Sequence, residues 1–116
     1  SVRRIGILTC DVSHGTGESL ICDFHGEEGP PEAYSGIIEE ADLGDADDMA
    51  DLSWSVVANS KNVESGDLAG DYTQKGHGAL VGGRAKSFTL TALAPEEDGS
   101  TNLADGVRKM TLTASN

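Results

Sequence analysis

The sequence predicts an all-β fold, a small antiparallel β-sandwich or barrel, and three observations carry that expectation. Apolar and polar residues alternate with a period of two through several short segments. Fifteen glycines in 116 residues, together with clusters of proline, asparagine and aspartate between those segments, punctuate the chain with turns. The only two cysteines, Cys10 and Cys22, lie in strand-like runs on either side of one turn-rich stretch.

The first run covers residues 5–10 and the second 19–24. The stretch between them (Asp11, Val12, Ser13, His14, Gly15, Thr16, Gly17, Glu18) is rich in turn formers. A hairpin brings the two sulfurs together, so a Cys10–Cys22 disulfide is expected. That bond implies an oxidising compartment. Closing a loop of about a dozen residues contributes roughly 3 kcal/mol in the chain-entropy picture, useful to a domain with only five aromatic residues.

Further along, residues 34–38 and 68–72 are short strand candidates, interrupted by Gly36 and Gly70, which mark bulges. Alternation is clearest at 52–58, where Leu52, Trp54, Val56 and Ala58 share one face. Trp54 is therefore expected in the core rather than as a sugar-stacking platform. The pattern recurs at 86–92, with Phe88, Leu90 and Ala92 inward, and at 107–113, with Met110 and Leu112 inward. Residues 26–31 contain Pro30 and Pro31 and cannot continue a sheet. Residues 59–66, 75–78 and 95–100 read as polar turns. Seven or eight strands in one domain, residues 1–116, fit a sandwich or barrel. The words Phe-Thr-Leu-Thr-Ala and Met-Thr-Leu-Thr-Ala, beginning at Phe88 and Met110, mark two similar strands, with no repeat architecture. Two segments carry a helical expectation: 39–51, built around Leu43 and Met49, and a single turn at 102–106 with Asn102 as cap and Gly106 as stop.

Twenty acidic residues against eight basic ones give a net charge of −12. Arg84 with Lys86, and Arg108 with Lys109, are local pairs rather than a basic stripe. Nucleic acid and anionic membrane surfaces are thus excluded as expected partners. No run of about 20 apolar residues is present to span a bilayer as a helix. The chain begins at Ser1, as a protein does once an export signal, or simply an initiator methionine, is removed. A periplasmic or extracellular location follows as an expectation.

The ordered words along the chain resemble a family known as domain of unknown function 992, small exported alphaproteobacterial proteins. They are Gly6-Ile7-Leu8-Thr9-Cys10, Ser19-Leu20-Ile21-Cys22-Asp23-Phe24, Tyr34-Ser35-Gly36-Ile37-Ile38 and the run from Leu52 to Ala58. Gly66-Asp67-Leu68-Ala69-Gly70-Asp71-Tyr72, Leu80-Val81-Gly82-Gly83 and Asn102-Leu103-Ala104-Asp105-Gly106 complete the series. The resemblance implies export and a paired cysteine, and it implies no activity. The chain departs from the family pattern at 73–78, where a glycine-rich stretch is shortened, and at 39–51, which is unusually acidic.

Chemistry offers few candidates. Asp11, Ser13, His14, Glu18 and Ser19 gather serine, histidine and carboxylate around one turn, but neighbours in a loop rarely form a triad and no Gly-x-Ser-x-Gly elbow is present. His14, His25 and His77 lack close metal-ligand spacing. Asp42, Asp45, Asp47, Asp48 and Asp51 supply hard oxygens for a weak calcium site without matching the EF-hand register. The expectation is a non-enzymatic exported protein with a structural or interaction role, a subunit or accessory of a surface or particle assembly, joining a protein partner or its own copies through strand edges. The alternative is a monomeric periplasmic binding module for a small ligand, cation or glycan. No cofactor other than the calcium candidate is expected.

Overall fold

A computed structural model describes residues 2–12, 19–42, 51–60, 62–76, 78–93 and 102–115. It contains eight strands: β1 (Arg3–Val12), β2 (Ser19–Gly26), β3 (Glu32–Ala41), β4 (Asp51–Ala58), β5 (Gly70–Gln74), β6 (Ala79–Gly82), β7 (Phe88–Ala92) and β8 (Val107–Ala114). Every neighbouring pair is antiparallel, and the sheet closes in the order β1-β2-β3-β8-β5-β6-β7-β4. Of the two predicted architectures the chain forms the barrel. Closure gives each strand a partner on both sides, which removes the free edges through which strands recruit other chains.

The order resolves into two Greek keys. In the first half β4 returns to lie beside β1, giving β4-β1-β2-β3; in the second, β8 returns beside β5, giving β8-β5-β6-β7. The seams between the halves are β3–β8 and β4–β7. Equivalent strands begin at the same end, so an approximate two-fold runs along the barrel axis. The similar words at Phe88 and Met110 fall on β7 and β8, which are not equivalent under it. The repeat therefore lies in topology and leaves no matching word in the sequence.

The inward faces follow the alternation. Leu52, Trp54, Val56 and Ala58 on β4, Phe88 and Leu90 on β7, and Met110 and Leu112 on β8 are all buried. Leu8, Leu20, Phe24, Tyr34, Ile38, Tyr72 and Leu80 complete a filled interior. Cys10 and Cys22 are register partners on β1 and β2, both fully buried, and their disulfide is formed.

Three element expectations are corrected. The helix expected over 39–51 is corrected at its ends, where Glu39, Glu40 and Ala41 finish β3 and Asp51 begins β4, while 43–50 lie outside the described residues. The strand tolerates its acids because β8 answers them. Glu40 stands opposite Lys109, and Thr111 Oγ1 donates to Glu39 Oε1 at 2.6 Å. The predicted strand at 68–72 starts only at Gly70, since 65–68 turn, and the one at 86–92 starts at Phe88 after a 3-10 turn at Arg84–Lys86. Ala79–Gly82, with two bulky side chains in four residues, was not predicted as a strand. The single turn near 102–106 is present as a 3-10 turn at Ala104–Gly106. Asn102 Oδ1 accepts from the Ala104 N–H and from Ser53 N–H, while its Nδ2 donates to the carbonyls of Ser53 and Leu93. One side chain thus ties the start of β4 to the chain leaving β7.

Candidate functional site

The filled interior moves any site to the ends of the barrel. At one end β1, β3, β5 and β7 begin, and the β4–β5 connection crosses it as a strap. Three polar locks hold that strap. Glu32 Oε1 accepts from Tyr34 Oη at 2.7 Å and from the Gly66 N–H at 2.9 Å. Tyr72 Oη donates to the Leu68 carbonyl at 2.7 Å. Asp67, nearly buried, accepts from the Glu64 N–H at 2.9 Å and from Arg84 Nη1 at 3.4 Å, while its carbonyl accepts from the Arg84 N–H at 2.9 Å.

Burial raises the Tyr34 phenol far above its ordinary value, and the Glu32 carboxylate beside it adds to the shift. Burial does the same to Tyr72, with Tyr34 contributing. Both phenols remain protonated donors at any ordinary pH, so they serve as fasteners rather than proton carriers.

Arg84 reaches the strap from a strained turn. Gly83 has φ 78°, and a side chain there would come within 2.8 Å of the Tyr72 hydroxyl. Ala85 and Lys86 follow at φ 56° and 54°. Each non-glycine residue in this left-handed region costs about 1–2 kcal/mol. Such strain persists only where surrounding contacts hold it, and it clusters at sites of use.

Val63 and Glu64 divide the concavity at this end into two clefts. The larger, of about 580 Å³, is walled by Ser60, Asn62, Glu64, Arg84, Ser87 and Phe88. The smaller, of about 340 Å³, lies between the start of β1 at Arg3 and Arg4 and the β2–β3 turn at Glu27 to Pro30. Both volumes fall in the range of small-molecule sites. Arg84 Nη1 also stands 3.8 Å from Glu64 Oε2, with both side chains mostly exposed. Four of the seven basic residues that the structure describes, Arg3, Arg4, Arg84 and Lys86, belong to this end.

A second cluster lies outside the opposite end. Asp11 and Asp51 are register partners across β1 and β4, and Asp23 is on the neighbouring strand β2. A hydrogen bond with Asp51, then burial and the charges of Asp51 and Asp23, push the Asp11 carboxyl above its ordinary value. The native state therefore holds this proton more tightly than the unfolded chain does. The pair opposes folding at neutral pH, and that opposition fades as pH falls through the raised pKa. Asp11→Asn is expected to raise stability at pH 7 by about 0.2–1 kcal/mol, the scale of an exposed cross-strand pair. The gain should shrink as the pH is lowered toward 4, as read by melting temperature across that range. An equal gain at both ends of the range would overturn the assignment.

Ser13, His14, Glu18 and His77 lie outside the described residues, as do Asp45, Asp47 and Asp48 of the calcium candidate. Asp42 follows β3 and Asp51 opens β4, and β2 and β1 intervene, a separation of roughly 14 Å. Among the described residues no group of three or more acids, histidines or cysteines is placed to hold a metal ion. His25 is near the strap end of β2, away from the 13–18 connection. The strap residues Glu32, Glu64, Asp67 and Arg84 carry no motif, and only the topology assembles them.

The profile of a family described as protein of unknown function (DUF992) matches residues 1–113. The chain belongs to the DUF992 family. No curated protein and no solved structure matches it. In this DUF992 member the two clefts lie at the strap end of a closed barrel that carries a buried disulfide.

Proposed function

We propose that this protein is a non-enzymatic, exported binding module that takes a small polar ligand beside the strap. The observation that carries the reading is the larger cleft, whose walls are polar and whose strap is fastened by two carboxylates and two tyrosines. Preformed walls spare a ligand the cost of ordering them. Among the described residues the interior is packed with apolar side chains and both phenols are committed as donors, which supports a binding role over a catalytic one. Export is supported by the buried disulfide, and no described helix is long and apolar enough to cross a membrane. Amide chemical-shift mapping of the ¹⁵N-labelled protein against a panel of sugars, amino acids and small acids tests the reading. Shifts confined to 60–68 and 83–88 are expected; shifts elsewhere, or none, would overturn it.

A second reading, a subunit of an assembly, draws on the outer face of the barrel. The outward positions Ile7 and Thr9 on β1, Ser53, Ser55 and Val57 on β4, Ala79 and Val81 on β6, and Thr89 and Thr91 on β7 carry no charge. The outward Asp11 and Asp51 border this band at one end, so in a chain of net charge −12 two copies meet most easily away from that end. Light scattering on the non-reduced protein, with and without a chelator, decides between the readings. A monomer in both conditions favours the binding module, a defined oligomer favours the subunit, and a mass that changes with the chelator points to the acidic segment.

A further inference from the structure

Resting on the binding-module reading, we infer that the larger cleft takes a small polyhydroxylated carboxylate of the uronate class, with Arg84 as its anchor. Arg84 is fixed at its backbone from both sides. Its N–H donates to the Asp67 carbonyl at 2.9 Å, and its own carbonyl accepts from Ser87 N–H at 3.1 Å. Among the described residues its guanidinium is engaged only through Nη1, at 3.4 Å to Asp67 and 3.8 Å to Glu64, and the side chain is 66% exposed. The other nitrogens of the fork are left to offer a carboxylate paired donors, the geometry in which arginine binds most strongly.

Between anions held by Arg84, the charge around the cleft favours the one of lower charge. Glu64 and Asp67 already flank the guanidinium, so a doubly charged phosphate meets more repulsion than a single carboxylate does. The rest of the wall selects the body of the ligand. Ser60, Asn62 and Ser87 offer hydroxyl and amide partners, Glu64 offers an acceptor, and Val63 and Phe88 offer an apolar surface. That combination suits a hydroxylated ring with one carboxylate better than an aliphatic acid, which would leave the polar wall without partners.

The test is a ¹⁵N amide titration of the intact, disulfide-bonded protein with glucuronate, glucose, glucosamine and inorganic phosphate in parallel. Glucuronate should shift Asn62, Glu64 and residues 84–87, binding at least tenfold more tightly than the other three. Arg84→Lys, which keeps the charge and loses the fork, should weaken glucuronate at least fivefold with the melting temperature held. Glucose or glucosamine binding in the cleft as well as glucuronate would overturn the carboxylate assignment and leave the binding-module reading standing. Tighter binding of phosphate there would do the same. Silence of the cleft toward all four overturns this inference, and silence toward the broader panel as well overturns both. An unchanged affinity in the lysine variant would remove Arg84 as the anchor.

Discussion

Replacing Cys10 and Cys22 together by alanine is expected to lower the stability of the barrel by about 3 kcal/mol, a large share of the 5–15 kcal/mol typical of a domain. The 12-residue separation sets the entropic part, because the open chain regains the freedom that the cross-link denies it. Burial adds to the loss. Both residues are fully inside, so each alanine leaves a small void where a sulfur packed. The backbone register survives, since the β1–β2 ladder runs from Gly6 opposite Gly26 to Val12 opposite Leu20 on either side of the bond. The variant should thus fold to the same barrel, with a urea midpoint displaced downward. Wild-type protein unfolded and refolded in reductant keeps both sulfurs and should therefore lose the entropic part alone. A loss below about 1 kcal/mol would show that the hairpin is equally confined without the bond.

Trp54→Ala should cost more, about 3–5 kcal/mol. Trp54 is the largest side chain of the interior and is fully buried, opposite Leu8 on β1 and Ala92 on β7. Removing it empties the middle of β4, the strand that joins the first half of the barrel to the second. The interesting control is Trp54→Phe. The indole Nε1 is buried with no hydrogen-bond partner among the described residues, a penalty of about 1–3 kcal/mol that phenylalanine does not carry. Relief of that orphan donor offsets much of the lost volume, so the phenylalanine variant should fall within about 1 kcal/mol of wild type. Thermal melts of the three proteins check both statements. A phenylalanine variant as weak as the alanine one would mean that the indole N–H is satisfied by a buried water.

The strand faces were legible because each depends on neighbours two residues apart. Leu52 to Ala58 and Phe88 to Ala92 show their inward side in composition alone, and Trp54 is in the core as that pattern requires. The hairpin disulfide was legible for the same local reason, with one turn between two runs. What lay hidden depends on contacts between distant segments. Ala79–Gly82 is too short to show a period, and its place between β5 and β7 is set by pairing. The acids of 39–51 suggested a helix because the answering groups, Lys109 and Thr111, come about 70 positions later. Likewise Asp11 meets Asp51 only once β1 and β4 are in register, and Asp67 meets Arg84 only across the strap. Asp11 and Asp51 draw notice in the sequence for other reasons, but with charged residues so abundant neither of these pairings stands out before folding.

The two Greek keys have a consequence for how copies of this chain can exchange parts. Each half is a four-stranded sheet whose outer strands, β3 and β4 in the first and β5's companion β8 and β7 in the second, are completed only by the other half. The strap is the one covalent link between them, and its fasteners are Glu32, Asp67 and Tyr72. Were those released, the first half of one molecule would find in the second half of another the same seams that it left. Both seams would re-form in the swapped pair, residue for residue, without any new surface being invented. A strap held against its own barrel, like the two ladders beside it, thereby favours completion within one chain over exchange between two.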